Sequence, residues 1–231
     1  MKSAALLIYL LGLAVAHAQQ NLVPNWNFSD PTPLKHWRVD FPYQDWYKKN
    51  VYYVKQVTHL GKRCAVIELP AGIAGNEGGK VETALISCEP GATYHAEVGA
   101  CLPDFSAKIH AEVYAEDPRP DAQRTAEESK GRRITMFRIP PMDGKPALVQ
   151  IYRAQFPDPK KGNSWTTTKR DFTVPLEWKI GAKKVTPKYI VLKAYTYEAT
   201  MSAGKVYFGD FKLTKKAGLG SGKRPKPVVV R

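Results

Sequence analysis

Cysteine is scarce, helix-forming stretches are few, and no long apolar run follows the first residues. Three cysteines in 231 residues allow one intramolecular bridge at most and exclude a disulfide-dense scaffold. The chain has no Gly-x-Ser-x-Gly elbow, no His-Glu-x-x-His, no phosphate-binding glycine loop and no zinc-type cysteine spacing. The common hydrolase, metalloprotease and nucleotide-binding readings therefore have nothing to rest on. No tandem repeat points to a propeller or solenoid. After residue 18 no segment is apolar enough to span a bilayer, so no membrane span is expected.

What is present begins at the N-terminus. Lys2, an apolar run from Ala4 to Ala16 and the small-x-small triplet Ala16-His17-Ala18 read as a secretory signal (residues 1–18), with cleavage expected before Gln19. The mature chain is then secreted, periplasmic or extracellular. The formal net charge is +14, and half of it belongs to residues 212–231, which hold seven Lys or Arg and no acid. Residues 214–231 have too few apolar groups to fold and read as a flexible basic tail. Outside a membrane, an anionic surface is the partner such a tail suits, and no nucleic acid is expected. A solvated tail without a partner is the alternative.

Short runs rich in Val, Ile, Tyr and Thr, separated by Gly, Pro, Asn and Asp, predict about a dozen strands. They begin near Asn21, His36, Val51, Cys64, Lys80, Thr93, Ala107, Arg132, Ala147, Ser164, Lys188 and Lys205. The one helix expected is Asp121 to Lys130, inside an insertion over about 116–146. The fold class is all-β, a two-sheet β-sandwich over 19–213. If the strands opening at Cys64 and closing at Cys88 pair antiparallel, Cys64 and Cys88 face each other and form the disulfide. Cys101 is then buried and free.

Tyr94-His-Ala-Glu-Val98 and Ile109-His-Ala-Glu-Val113 repeat one unit in consecutive strands. A hairpin pairing Val98 with Ala111 would set Glu97 opposite Glu112 and His95 opposite Tyr114. Opposed carboxylates need a compensating Lys or Arg, a cation, or a raised carboxyl pKa. Such a face reads as a sugar site, a His/Glu metal site, a glycosidase pair, or a solvated face with a basic neighbour between the acids. Aromatic rings are the other sugar signal, because a flat ring stacks on the C–H face of a pyranose. Trp46 and Tyr47 lie in a polar-flanked loop, and Tyr195 and Tyr197 share one face of a strand with Lys193.

The opening Asn21-Leu-Val-Pro-Asn-Trp-Asn-Phe28 resembles that of carbohydrate-binding module families 4, 9 and 22. Trp37-Arg38, Glu89-Pro-Gly-Ala-Thr-Tyr94, Trp165 with Asp171-Phe-Thr-Val-Pro175, and Gly204-Lys-Val-Tyr-Phe-Gly-Asp-Phe-Lys-Leu213 follow in that group's order. The resemblance implies a galactose-binding-domain-like jelly roll, a non-catalytic glycan-binding role, and core positions for Trp37 and Trp165. It also implies a structural calcium near the chain ends, for which Asn25 and Asp210 are the remaining ligands; packing of the terminal strands is the alternative. No cofactor is required.

The expected function is a secreted module binding a polysaccharide or other glycan in a concave groove lined by some of Trp46, Tyr47, Glu97, Glu112, Tyr114, Tyr195 and Tyr197. The second reading is an envelope or matrix interaction protein on the same fold without a sugar site. A jelly-roll polysaccharide lyase is third: Val149-Gln-Ile-Tyr152 and Tyr207-Phe208 resemble its strand motifs, but Tyr152 stands where His belongs and Arg-x-Glu-Leu is absent.

Overall fold

β-Branched and aromatic residues alternating with polar ones fit a pleated, half-buried surface, and the chain spends them on two antiparallel sheets. In a computed structural model, residues 20–41, 49–71, 78–120, 138–141, 146–196 and 202–217 are described. The seven-stranded sheet comprises β1 (Trp37–Arg38), β4 (Gly79–Thr83), β5 (Ile86–Ser87), β7 (Lys108–Glu116), β8 (Arg138–Ile139), β9 (Leu148–Gln155) and β13 (Tyr189–Thr196). Its order is β1-β4-β13-β7-β9-β8, with β5 also pairing β13. The five-stranded sheet runs β10-β6-β14-β3-β2, built from β2 (Val54–His59), β3 (Lys62–Leu69), β6 (Thr93–Leu102), β10 (Gly162–Thr173) and β14 (Gly204–Lys215). A small hairpin of β11 (Trp178–Ile180) and β12 (Lys183–Val185) stands apart, and α1 (Asn50–Tyr53) is one short turn.

Two stacked sheets whose neighbouring strands are mostly distant in sequence make an all-β jelly-roll sandwich. Its core lies between the sheets: Ile109, Ala111 and Val113 of β7 and Ile190 and Leu192 of β13 pack with Ala96 and Val98 of β6 and Phe208 and Leu213 of β14. Each large side chain so buried contributes about 1.5–3 kcal/mol. The chain ends close on one another. The Leu22 amide donates to the Leu213 carbonyl, the Phe211 amide donates to the Trp26 carbonyl, and Phe28 stacks on Trp37 with ring centroids 4.4 Å apart. Trp37 is in the core, as its resemblance implied.

Five expectations need correction. The two His-Ala-Glu-Val strands do not form a hairpin: β6 pairs β10 and β14, while β7 pairs β13 and β9. Consecutive strands here cross between sheets, which places Glu97 and Glu112 on opposite outer faces. For the same reason Cys64 and Cys88 do not meet. Cys64 belongs to β3 in one sheet, and Cys88 follows β5 in the other; all three cysteines are free thiols. Residues from Asn21 form turns rather than a strand, and Val51 lies in α1, not in a strand. Strand β14 continues to Lys215, past the expected start of the tail. The expected signal segment, the helix Asp121–Lys130, the strand near Arg132 and residues 218–231 lie outside the described residues.

Candidate functional site

The outward positions of the seven-stranded sheet carry charge, and register aligns it. Arg38 pairs with Glu82 across β1 and β4, Glu82 with Lys193 across β4 and β13, and Lys193 with His110 across β13 and β7. Glu82 receives the Lys80 ammonium at 2.7 Å and the Arg38 guanidinium at 3.1 Å. Lys193 donates to Glu112 Oε1 at 3.0 Å, and the Tyr114 hydroxyl donates to Glu112 Oε2 at 2.7 Å. Lys80 Nζ also lies 3.5 Å from the centre of the Phe41 ring. Glu82, Glu112, Lys80, Lys193, His110 and Tyr114 are all buried, Glu112 completely.

Buried charge survives only when paired, and the titration of this layer follows. Burial opposes ionisation of Glu82, but Lys80, Arg38 and Lys193 outweigh it and hold the carboxyl at about 2. Glu112 is likewise kept below the usual range, by Lys193 and the Tyr114 hydroxyl against burial. Burial brings Lys80 down to about 8 and His110 down to about 4, so His110 is neutral at pH 7. A glycosidase pair needs one carboxyl held protonated; of the expected pair, Glu97 is held below its ordinary value by the His95 hydrogen bond, and Glu112 is pushed the same way. Among the described residues no group of three or more His, Cys, Asp or Glu is arranged to hold a metal ion.

The expected groove residues therefore separate. Glu112 and Tyr114 are inside the ion layer, with no surface to offer a ligand. Glu97 is on the other sheet, where His95 Nε2 meets it at 2.7 Å and His95 Nδ1 meets Asp171 at 2.5 Å. Tyr195 is half-buried, 5.4 Å from the His110 ring, beside a cleft of about 230 Å³ shared with Ser106, Lys108 and Thr196. Trp46, Tyr47 and Tyr197 lie outside the described residues. Sequence reading passed over Arg38, Lys80 and Glu82. The available signal was Lys80-Val81-Glu82, charge at both outward positions of a strand.

The larger opening is elsewhere, at one end of the five-stranded sheet. It is a cleft of about 580 Å³ lined by Tyr52, Lys55, Glu68, Asp104 and Lys205 among others. Tyr52 is 73% exposed. It is presented by α1, which Asn50 anchors by donating its amide to the carbonyls of Val39 and Lys80 and accepting the Lys80 amide. Glu68 sits between Lys205 at 2.9 Å and Lys55 at 3.9 Å, and the Lys205 amide donates to Asp104.

Beyond the cleft the outer face of this sheet is aromatic. The His59 and Tyr207 rings stack at 3.7 Å, the Trp165 indole donates to the His59 carbonyl at 3.3 Å, and Lys62 lies 5.3 Å from the Trp165 ring centre. Trp165 is thus on an outer face, not in the core as the resemblance implied. Beneath it, burial raises the Cys64 thiol to about 12.

The calcium expectation does not fit the residues present. The Asn25 side-chain oxygen accepts the Asp30 amide, its nitrogen donates to the Lys35 carbonyl, and the Asp210 carboxylate is paired with Lys62. The terminal segments are joined by backbone and side-chain hydrogen bonds instead, including Asn21 to Phe211 and Leu213.

No family model matches the sequence, and no curated protein matches it. Solved structures do. The chain is 13% identical to a family 16 carbohydrate-binding module, with 84% of this chain and 99% of that one covered and a TM-score of 0.43. A family 61 module in complex with β-1,4-galactotriose gives 12%, 85% and 99%, and 0.43. An arabinose-bound α-L-arabinofuranosidase gives 14% identity and a TM-score of 0.46, with 84% of this chain covered. The chain spans 26% of that enzyme and 21% of a matching bacteriophage CBA120 tailspike domain. The sandwich described above stands on its own hydrogen-bonded ladders.

Proposed function

We propose that the protein is an exported, non-catalytic module that binds a glycan, and that it does so in the Tyr52 cleft rather than in a groove lined by Glu97, Glu112, Tyr114 and Tyr195. The observation that carries this is the exposed Tyr52 ring beside an open cleft with carboxylate and ammonium groups on its walls. An uncovered ring offers a stacking surface for the C–H face of a pyranose, and Glu68, Lys55, Lys205 and Asp104 offer hydrogen bonds to hydroxyls. The size is that of ordinary small-ligand sites, about 300–1,000 Å³. The ion pairs there are half exposed, so exchanging a partner for a sugar hydroxyl costs little. Tyr52→Ala should abolish retention on neutral polysaccharide in affinity electrophoresis at high salt, with the fold unchanged because the ring is exposed. Retention equal to that of the parent protein would refute the assignment.

The second reading is an envelope or matrix interaction protein that kept the sandwich without a sugar site. The burial of Glu112 and Tyr114 favours it, because it removes two groups from the expected groove. Binding to an acidic surface that persists in Tyr52→Ala but disappears on removing residues 218–231 would select it.

A further inference from the structure

The outer face of the five-stranded sheet has an organisation that the cleft alone does not use. Along β14 the outward positions are Lys205, Tyr207 and Gly209, and after a register shift Lys212. Lys205 lines the Tyr52 cleft. Tyr207 comes next and stacks face to face on His59, the rings only 3° from parallel, so that the pair presents one outer ring face. Gly209 follows and carries no side chain; the Trp165 indole lies across it, 3.5 Å from where a Cβ would stand. Opposite Gly209 on β6 is Gly99, another bare position, where a Cβ would meet the Gly209 carbonyl at 2.9 Å.

Glycine inside a central strand loses side-chain packing and is unfavourable on entropy grounds. It is found where a bulge forms or where another group approaches the backbone closely. Here the bulge accounts for Gly209, and the Trp165 indole covers it, so both glycines are buried and the middle of the face is the half-exposed indole itself. Further along the face is Glu97, with Lys212 at 3.8 Å. From Lys205 to Lys212, allowing for the extra residue of the bulge, this strip is about 20 Å long at about 3.3 Å per residue, the length of several linked sugar rings.

Charge along the strip is largely paired within the protein. Lys205 meets Glu68, Lys62 meets Asp210 and Lys212 meets Glu97. A face with aromatic rings and largely paired charges suits a chain of neutral sugars: the rings take the C–H faces, and the half-exposed ion pairs serve the hydroxyls. A polyanion would find Lys205, Lys62 and Lys212 each already beside a carboxylate.

We propose that a neutral polysaccharide held at Tyr52 continues along β14 past the Tyr207–His59 stack and over Trp165. The protein then binds an extended glycan chain rather than a terminal mono- or disaccharide. This rests on the Tyr52 cleft being a glycan site, and the test separates the two claims.

Isothermal titration of the mature full-length protein with gluco-, xylo- and galacto-oligosaccharide ladders, β-1,4-linked and one to six units long, reads the strip directly. For the ladder that binds, affinity should rise by about tenfold or more from disaccharide to hexasaccharide, the value of one or two good ring contacts. Trp165→Ala should remove that rise while leaving the disaccharide affinity in place, and Tyr52→Ala should weaken every length. The Trp165 indole N–H resonance, assigned with Trp165→Phe and followed in the parent protein, should shift with hexasaccharide and stay still with disaccharide. That readout does not depend on the alanine variant folding. A hexasaccharide that binds no tighter than a disaccharide, or an indole that never moves, would overturn the extended site while the cleft stands. Failure of every length to bind would bring down both.

Discussion

The ion layer under the outer face of the seven-stranded sheet makes a sharp prediction through Lys193. Its ammonium donates to Glu112 at 3.0 Å and also stands across the β4 to β13 ladder from Glu82. Lys193→Met keeps the length and most of the volume of the side chain but removes the charge. Among the described residues Glu112 then keeps the Tyr114 hydroxyl as its one hydrogen-bond donor, in a site with no solvent exposure. Breaking a buried pair by deleting one partner costs about 3–5 kcal/mol, because the survivor is left charged and dry. Glu112→Gln should cost less, because Lys193 still faces Glu82 and Gln can still accept from Tyr114. The double variant should be closer to the parent protein than Lys193→Met alone. Urea unfolding followed by tryptophan fluorescence gives all three values, with the m-value checked for constancy. A loss below about 1 kcal/mol in Lys193→Met, the range of exposed pairs, would mean that water reaches Glu112. Glu112 and Tyr114 would then be within reach of a ligand, as the sequence reading expected.

The other tests are independent of it. Burial holds His110 at about 4, below its ordinary value near 6.5, so the stability it contributes is full above about pH 6.5 and is lost as pH falls through 4. The loss should reach about 3 kcal/mol by pH 4 beyond that of His110→Gln, measured by urea unfolding at stepped pH with Glu112, Lys193, Lys108 and Arg153 unchanged. Equal pH slopes for parent and variant would show that His110 is solvated. The three free thiols predict that the purified protein, denatured without reductant and alkylated, gains three adducts by mass spectrometry; one adduct and an intact bridge would contradict the strand placement of Cys64 and Cys88.

Much of the fold was legible because strand alternation is a local signal. Ile190, Leu192 and Ala194 were assigned one face and Lys193 and Tyr195 the other, and the structure keeps that division. Pairing was not legible, since nothing in Thr93–Leu102 or Lys108–Glu116 states that the chain crosses to the other sheet between them. The disulfide expectation failed on that same missing fact. Asn50 shows a different gap: its three hydrogen bonds to Val39 and Lys80 turn the chain into α1, a tertiary cause that strand propensity in Val51-Tyr52-Tyr53 cannot reveal. Trp165 was set aside because similar positions are core, yet Gly209 gives its indole a place to lie on the surface.

The two His-Ala-Glu-Val units show how position decides chemistry. In β6 the unit faces outward beside β10 and β14, which bring Asp171 to His95 and Lys212 to Glu97, all partly exposed. In β7 the same four residues face β13 and β9, and Glu112 is sealed against Lys193 and Tyr114. An exposed pair is worth about 0–1 kcal/mol, so a ligand hydroxyl can replace one member at small cost. The sealed pair would have to give up several kcal/mol for the same exchange. Swapping an ion-pair partner for a ligand hydroxyl is therefore cheaper on the face of the five-stranded sheet than on that of the seven-stranded sheet. The buried charges of the seven-stranded sheet instead face one another across β1, β4, β13 and β7.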